Sequence, residues 1–171
     1  MSYKTEQRLL DMIPYRPISG TYPIRLDANE SFLSIPQKAR EEFVEAVGSM
    51  QFNRYPDAYA TELCKAFGEY QNIPFNNIMA GNGSDEIINV LCEAFLNDNS
   101  KVVTLPPDFS MYAFYTELRR GKVVEYVKND NYDVDVKEVL ELIRRETADM
   151  IIFSNPCNPT SRIIPREEVL Y

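Results

Sequence analysis

KVVTLPPDFSMYAFYTELRRGKVVEYV, residues 101–127, reads as strand, helix, strand. Lys101–Leu105 and Lys122–Val127 are short runs rich in β-branched residues. Phe109–Arg120 between them has helical length and apolar spacing. The same alternation continues on both sides. Ile78–Ala80 reads as a short buried strand, and Ser84–Leu96 as a helix with Ile87, Ile88, Leu91, Ala94 and Phe95 inward. Val134–Thr147 reads as a helix and Met150–Phe153 as a strand. Strands alternating with helices of about 12 residues predict a parallel, right-handed α/β sheet. Ligands of such sheets sit beyond the carboxyl ends of the strands.

Residues 1–35 are rich in Pro, Gly and Tyr and predict an extended arm with one short helix near Thr5–Met12. A helix over Pro36–Gly48 follows, with Ala39, Phe43, Val44 and Val47 on one face and a proline suited to its first turn. Arg54-Tyr55-Pro56-Asp57 predicts a turn capping a helix that runs to Tyr70, with Leu63, Ala66, Phe67 and Tyr70 as its apolar face. Pro165-Arg166-Glu167-Glu168 has the form of a helix start, proline first and acids in the first turn, with only three residues after it. The expectation is therefore a truncated chain. The face carrying Phe43, Val44 and Val47 should then lie open.

Composition narrows the function. The net charge of −8 disfavours nucleic acid and anionic membrane as partners. There is no histidine, which excludes Ser-His and Cys-His catalysis within this chain and a His-ligated metal. Cys64, Cys92 and Cys157 are dispersed, which fits a reducing cytoplasmic setting better than a disulfide scaffold. No apolar run approaches the ~20 residues of a membrane span.

Three segments follow strand ends. Gly81-Asn82-Gly83-Ser84-Asp85-Glu86 offers glycines for close backbone approach and a helix start with free N–H groups, a site for phosphate. Taken alone it reads first as a glycine-rich turn with Ser84 or Asp85 as N-cap. Ser154-Asn155-Pro156-Cys157-Asn158-Pro159-Thr160 holds two asparagines extended by the prolines after them, so their amides can serve a ligand oxygen, or simply form a strand exit. Pro106-Pro107-Asp108-Phe109-Ser110-Met111-Tyr112 places an aromatic where it can stack on a flat ring or pack into the core.

Together with Leu26-Asp27-Ala28-Asn29-Glu30, Asn53-Arg54-Tyr55-Pro56-Asp57 and Pro165-Arg166-Glu167-Glu168, these segments resemble, in order, those of the histidinol-phosphate aminotransferases. That family lies within the fold-type I pyridoxal-phosphate-dependent enzymes. The resemblance runs from about Pro14 to the end of the chain. It implies a fold-type I α/β architecture. Residues 1–50 would be an N-terminal arm and part of a small domain, and residues 51–171 the first, incomplete part of the cofactor-binding large domain. It further implies that Ser84 and Asp85 donate backbone N–H groups to the phosphate of pyridoxal 5'-phosphate. Phe109 would stack on its pyridine ring, and Asn158 would bond its phenolic oxygen. Tyr55 would reach the cofactor phosphate of the partner subunit, and Tyr15 would line the partner's substrate pocket.

The implied activity of the full-length protein is transamination of histidinol phosphate with 2-oxoglutarate in histidine biosynthesis, by a cytoplasmic homodimer. Alternatives on the same scaffold are a threonine-phosphate decarboxylase or a broad aromatic aminotransferase. An alternative of another class is a non-catalytic fragment that binds cofactor phosphate and dimerises. The family's Schiff-base lysine, the aspartate facing the pyridine nitrogen and the arginine holding the substrate carboxylate all lie beyond the Asn-Pro-Thr segment, so no catalytic residue is assigned here and this chain alone is expected to be inactive. Lys101 and Lys122 start strands, Lys65 lies among acids on a helix, and Lys128 and Lys137 fall around a polar turn. Two departures from the family pattern stand out. Ser161 occupies a position usually held by glycine, which predicts strain if φ is positive there. Ser31-Phe32 replaces the usual Asn-Pro after Asn29-Glu30.

Overall fold

The computed structural model describes residues 4–14, 16 and 18–170. They fall into two compact units, one ending at Thr61 and the other beginning at Glu62.

The first unit holds α1 (Gln7–Asp11) and α2 (Gln37–Ser49), joined by extended and turning chain. Pro36 precedes α2 with φ −53° and ψ 145°, and the helix passes Gly48 by one residue before the backbone turns extended at Met50. None of its described side chains is buried. Phe43 and Val44 are exposed and Val47 is half-buried, so the expected apolar face does lie open.

The second unit is built on a three-stranded sheet. It contains α3 (Thr61–Gln71), α4 (Gly83–Phe95), β1 (Lys101–Thr104), α5 (Met111–Leu118), β2 (Lys122–Glu125), α6 (Val136–Glu146), β3 (Met150–Ile152) and α7 (Arg166–Val169). The strand order is β2-β1-β3. Both pairings are parallel, with Val102 opposite Val123 on one side and Met150 on the other. β1 is central because it is apolar on both faces: Val102, Val103 and Leu105 are almost wholly buried. Val102 packs with Ile88, Cys92 and Leu96 of α4 and with Phe109, Tyr112 and Tyr115 around α5. Val103 and Leu105 pack on the opposite face with Val139 and Leu142 of α6. The result is a helix–sheet–helix sandwich. α6 starts on Asp135, whose carboxylate accepts from the N–H groups of Lys137 (2.9 Å) and Glu138 (3.3 Å), a cap worth about 1 kcal/mol.

Three expectations need correction. Ile78–Ala80 is not a strand: Ile78 is extended after a 3-10 turn at Phe75–Asn77, but no described strand pairs with the segment. An apolar run of three residues cannot form a ladder without a neighbour. The apolar face expected on α3 points outward, with Leu63, Phe67 and Tyr70 exposed. The helix instead buries Cys64 and Gly68, because the following chain passes so close that a Cβ at Gly68 would meet the Ile73 carbonyl oxygen at 2.6 Å. On α4 the buried stripe is Ile88, Cys92 and Leu96, while Leu91, Ala94 and Phe95 are exposed. The helix is apolar over more than one face, and the sheet covers the i, i+4, i+8 row alone.

Candidate functional site

The strand order decides where a ligand can bind. From β1 the chain crosses to β2 on one side, and from β2 it returns past β1 to β3 on the other. The carboxyl ends of β1 and β3 are therefore the switch point of the sheet, where the two connections diverge and leave a crevice. The exit loops at this point are Leu105–Ser110 and Phe153–Thr160.

Asp108 ties these loops together. Its carboxylate accepts from the N–H of Phe109 (2.7 Å), from the N–H of Ser154 (3.1 Å) and from the Ser154 hydroxyl. The Ser154 Oγ in turn accepts from the N–H of Asn158 (2.9 Å). Phe109 and Asn158, nominated separately from sequence, are thus joined through two side chains. The Phe109 ring meets Tyr112 edge-on, with centroids 5.7 Å apart and planes at 86°. Burial pushes the Tyr112 hydroxyl above its ordinary range, and the charge of Asp108 adds to the effect while a bond with Ser154 opposes it.

Beneath the loops sits Lys128. It directly precedes a polar turn at Asn129–Tyr132, as the sequence suggests, but it is buried, with Nζ donating to the Pro107 carbonyl (2.9 Å) and lying 3.0 Å from Cys157 Sγ. The β2 exit runs directly under the β1 exit loop, which the local polar sequence around Asn129 does not reveal.

The start of α4 supplies a different kind of group. Asn82, not Ser84 or Asp85, is the N-cap, and no side chain caps the helix. The Asn82 N–H is taken by the Glu86 carboxylate and the Gly83 N–H by the Gly81 carbonyl (2.9 Å). Gly83 stands at φ +82°, a conformation that glycine adopts without strain. The N–H groups of Ser84 and Asp85 make no hydrogen bond within the described chain. Two adjacent free donors at the positive end of a helix dipole have the chemistry that suits an anion. One turn on, Ile88 packs in the cluster that includes Phe109, so this helix start and the aromatic belong to the same side of the sheet. The Tyr115 hydroxyl on that side is pushed up by burial, then by the charge of Asp85.

Of the six residues nominated from sequence, Phe109 and Asn158 are linked through Asp108 and Ser154, while Ser84 and Asp85 lie at the start of α4, the helix whose Ile88 packs in the Phe109 cluster. Tyr55 lies in the first unit and is fully exposed. Tyr15 lies outside the described residues. Asp108, Ser154 and Lys128 were missed as contributors. An acid directly before the strand-exit aromatic was the one available signal for Asp108. Among the described residues no cluster has the makings of a metal site, and no helix is long and apolar enough to cross a membrane.

Ser161 has φ +58°, so it does occupy the left-handed region that favours glycine. Its N–H donates to the Cys157 carbonyl at 2.7 Å, and Cys157 N–H donates to Arg162 at 2.8 Å, which closes the turn. Ser161→Gly should stabilise the protein by about 1 kcal/mol by removing the Cβ penalty. A urea denaturation curve checks this; an unchanged or lowered midpoint would show that the turn holds Ser161 without cost.

Comparison with known proteins places these features in a wider setting. The model for "aminotransferase class I and II" matches residues 22–170. A histidinol-phosphate aminotransferase of Clostridium novyi (strain NT) is 44% identical over 160 residues, covering 94% of this chain and 45% of that protein. One of Thermococcus kodakarensis is 38% identical over 157 residues, covering 92% and 46%. The crystal structure of histidinol-phosphate aminotransferase from Sinorhizobium meliloti in complex with pyridoxal-5'-phosphate superposes with a TM-score of 0.76 at 23% identity, over 84% of this chain and 38% of that one. The chain spans about half the length of the relatives it matches.

Proposed function

This chain belongs to the aminotransferase class I and II family, and we propose that the whole protein is a transaminase exchanging an amino group between histidinol phosphate and 2-oxoglutarate. The observation that carries this reading is likeness over nearly the whole chain to histidinol-phosphate aminotransferases. The groups at the strand-exit loops and at the start of α4 support it, because they suit pyridoxal phosphate: two free N–H groups for a phosphate, an aromatic for a ring face and, on a loop whose backbone Ser154 holds, the Asn158 amide for a phenolic oxygen.

In this reading Ser84 and Asp85 hold the phosphate through their N–H groups, with the α4 dipole adding to the attraction. Phe109 walls one face of the ring, and the Asn158 amide donates to the phenolic oxygen. Pyridoxal phosphate, when bound, supplies an electron sink beside the substrate's α-carbon. Asp108 and Ser154 keep Phe109 and Asn158 at a fixed separation, so the ring does not have to be reoriented at each turnover. Tyr55 and Tyr15 are assigned to the partner subunit's phosphate and substrate pocket, in a cytoplasmic homodimer; the absence of disulfides among the cysteines fits a reducing compartment. The residue that moves the α-proton is assigned to a lysine beyond Tyr171. Lys128, the buried lysine nearest the crevice, is engaged with Pro107 and Cys157.

The test is an assay of the whole protein with pyridoxal phosphate and 2-oxoglutarate, offering histidinol phosphate, threonine phosphate and phenylalanine in turn. Glutamate formation fastest with histidinol phosphate is expected. Release of carbon dioxide from threonine phosphate, or a preference for phenylalanine, would overturn the substrate assignment while leaving the family intact.

A further inference from the structure

We propose that Cys157 and Lys128 form an oxidation-sensitive pair, in which a hydroperoxide converts the Cys157 thiolate to a sulfenic acid and the Lys128 amine then closes onto the sulfur as a sulfenamide. Lys128 places a charge where one is costly. Lys128 is 8% exposed, and a buried ammonium is costly unless something of opposite charge faces it. No carboxylate lies within ion-pair distance among the described residues: the Lys128 partners are the Pro107 carbonyl at 2.9 Å and Cys157 Sγ at 3.0 Å. The group able to supply the countercharge at contact is the thiol, as thiolate. Sγ also lies 3.3 Å from the Pro107 carbonyl; once deprotonated it leaves that acceptor to Lys128.

The contrast with Cys92 supports this state. Both thiols are buried. Burial pushes Cys92 up, and the charge of Arg119 only partly opposes it. Burial pushes Cys157 the same way, and the carboxylate of Asp108 adds to that, yet the bonds from Lys128 and Thr160 carry it below the ordinary thiol value. Tyr112 is a further ionisable side chain near this group, and Tyr132, Asp133, Arg162 and Glu168 share its cavity. Low thiol pKa next to a lysine marks a nucleophilic cysteine. Access is provided by a cavity of about 190 Å³ lined by Cys157 and Lys128 with Leu105, Asp108, Ile164 and Glu168.

The chemistry balances with hydrogen peroxide as oxidant. Sγ attacks one peroxide oxygen, the O–O bond breaks, and hydroxide leaves; sulfur is oxidised by two electrons and the peroxide reduced. Lys128, having given its proton to that hydroxide, attacks Sγ through Nζ. The S–O bond breaks, the leaving oxygen takes a proton from Nζ, and an N–S bond remains. Two waters are formed and the pair loses two hydrogens. The initial Nζ–Sγ separation of 3.0 Å means that closure requires little movement of either backbone.

The experiment treats the purified protein with stoichiometric hydrogen peroxide at neutral pH, followed by proteolysis under non-reducing conditions and mass spectrometry. The expected product joins the peptide containing Lys128 to that containing Cys157, lighter than their sum by two hydrogens, and is released by dithiothreitol. Cys64 and Cys92 should remain thiols. Lys128→Met and Lys128→Arg should both lose the cross-link completely, the arginine variant retaining a cation in the site should the methionine variant fail to fold. Recovery of Cys157 as free thiol or as sulfinic acid with Lys128 unmodified would overturn the proposal, as would cross-linking through another lysine.

Discussion

Replacing Ser84 by aspartate should weaken binding of pyridoxal phosphate roughly 100-fold while raising the melting temperature. The two effects have one origin. The start of α4 has two free N–H groups and the positive end of the helix dipole. A carboxylate in the first turn satisfies that field from within, stabilising the helix by about 0.3–1 kcal/mol. For a domain of this size that is a rise of about 1–3 °C. The same carboxylate then faces the incoming phosphate, and like charges brought together cost several kcal/mol, so a loss of ~2.7 kcal/mol or more corresponds to the 100-fold. Glu86 does not already serve this purpose, because it is turned back onto the Asn82 N–H, and the new carboxylate adds to the first-turn charge of Asp85. Fluorescence titration with pyridoxal phosphate and a thermal melt of the same sample are sufficient. Unchanged affinity alongside a raised melting temperature would mean that the cofactor phosphate binds away from α4.

That pair of donors could be read from Gly81-Asn82-Gly83-Ser84 because the first N–H groups of a helix lack intrahelical acceptors whatever precedes it. The sheet was legible for a similar reason. Val102-Val103-Thr104-Leu105 is apolar on both faces, and that pattern belongs to the middle of a parallel sheet wherever its neighbours come from. The failures share a different cause. Ile78–Ala80 is as apolar as a strand, but pairing depends on a partner that local sequence does not name. The choice between Leu63/Phe67 and Cys64/Gly68 as the buried side of α3 depends on where residues 73–78 run, since the Cys64 thiol reaches the Ile78 carbonyl at 3.7 Å. The burial of Lys128 beside a polar turn does not show until the β1 exit loop is laid over it. In the site, the residues nominated to face a ligand could be picked out from local sequence. Those that hold them in place could not, because holding is a property of two loops 46 residues apart meeting at one carboxylate.

Asp108→Ala in the whole protein should therefore lower kcat/KM about 100-fold, although Asp108 is assigned no contact with cofactor or substrate. The carboxylate has three donors around it: the Phe109 N–H, the Ser154 N–H and the Ser154 hydroxyl. Removing it leaves two backbone N–H groups in a half-buried place without acceptors and frees Ser154 from its link, and with it the Asn158 N–H. The ring wall and the amide then lose their common reference, and a misplacement of about 1 Å at reacting atoms is enough for the expected loss. Asp108→Asn should fall between the two, since the amide oxygen can accept from one N–H while its NH2 group faces donors. Two readings of a loss of rate must be separated. If Asp108 only stabilises the fold, its substitution lowers the melting temperature and the amount of active enzyme, while KM and the absorbance of bound cofactor remain those of the parent. If it positions Phe109 and Asn158, the cofactor band shifts and kcat falls in protein that is fully folded by circular dichroism. Activity within twofold of the parent for Asp108→Ala would show that Ser154 and the prolines around it hold the two loops without help.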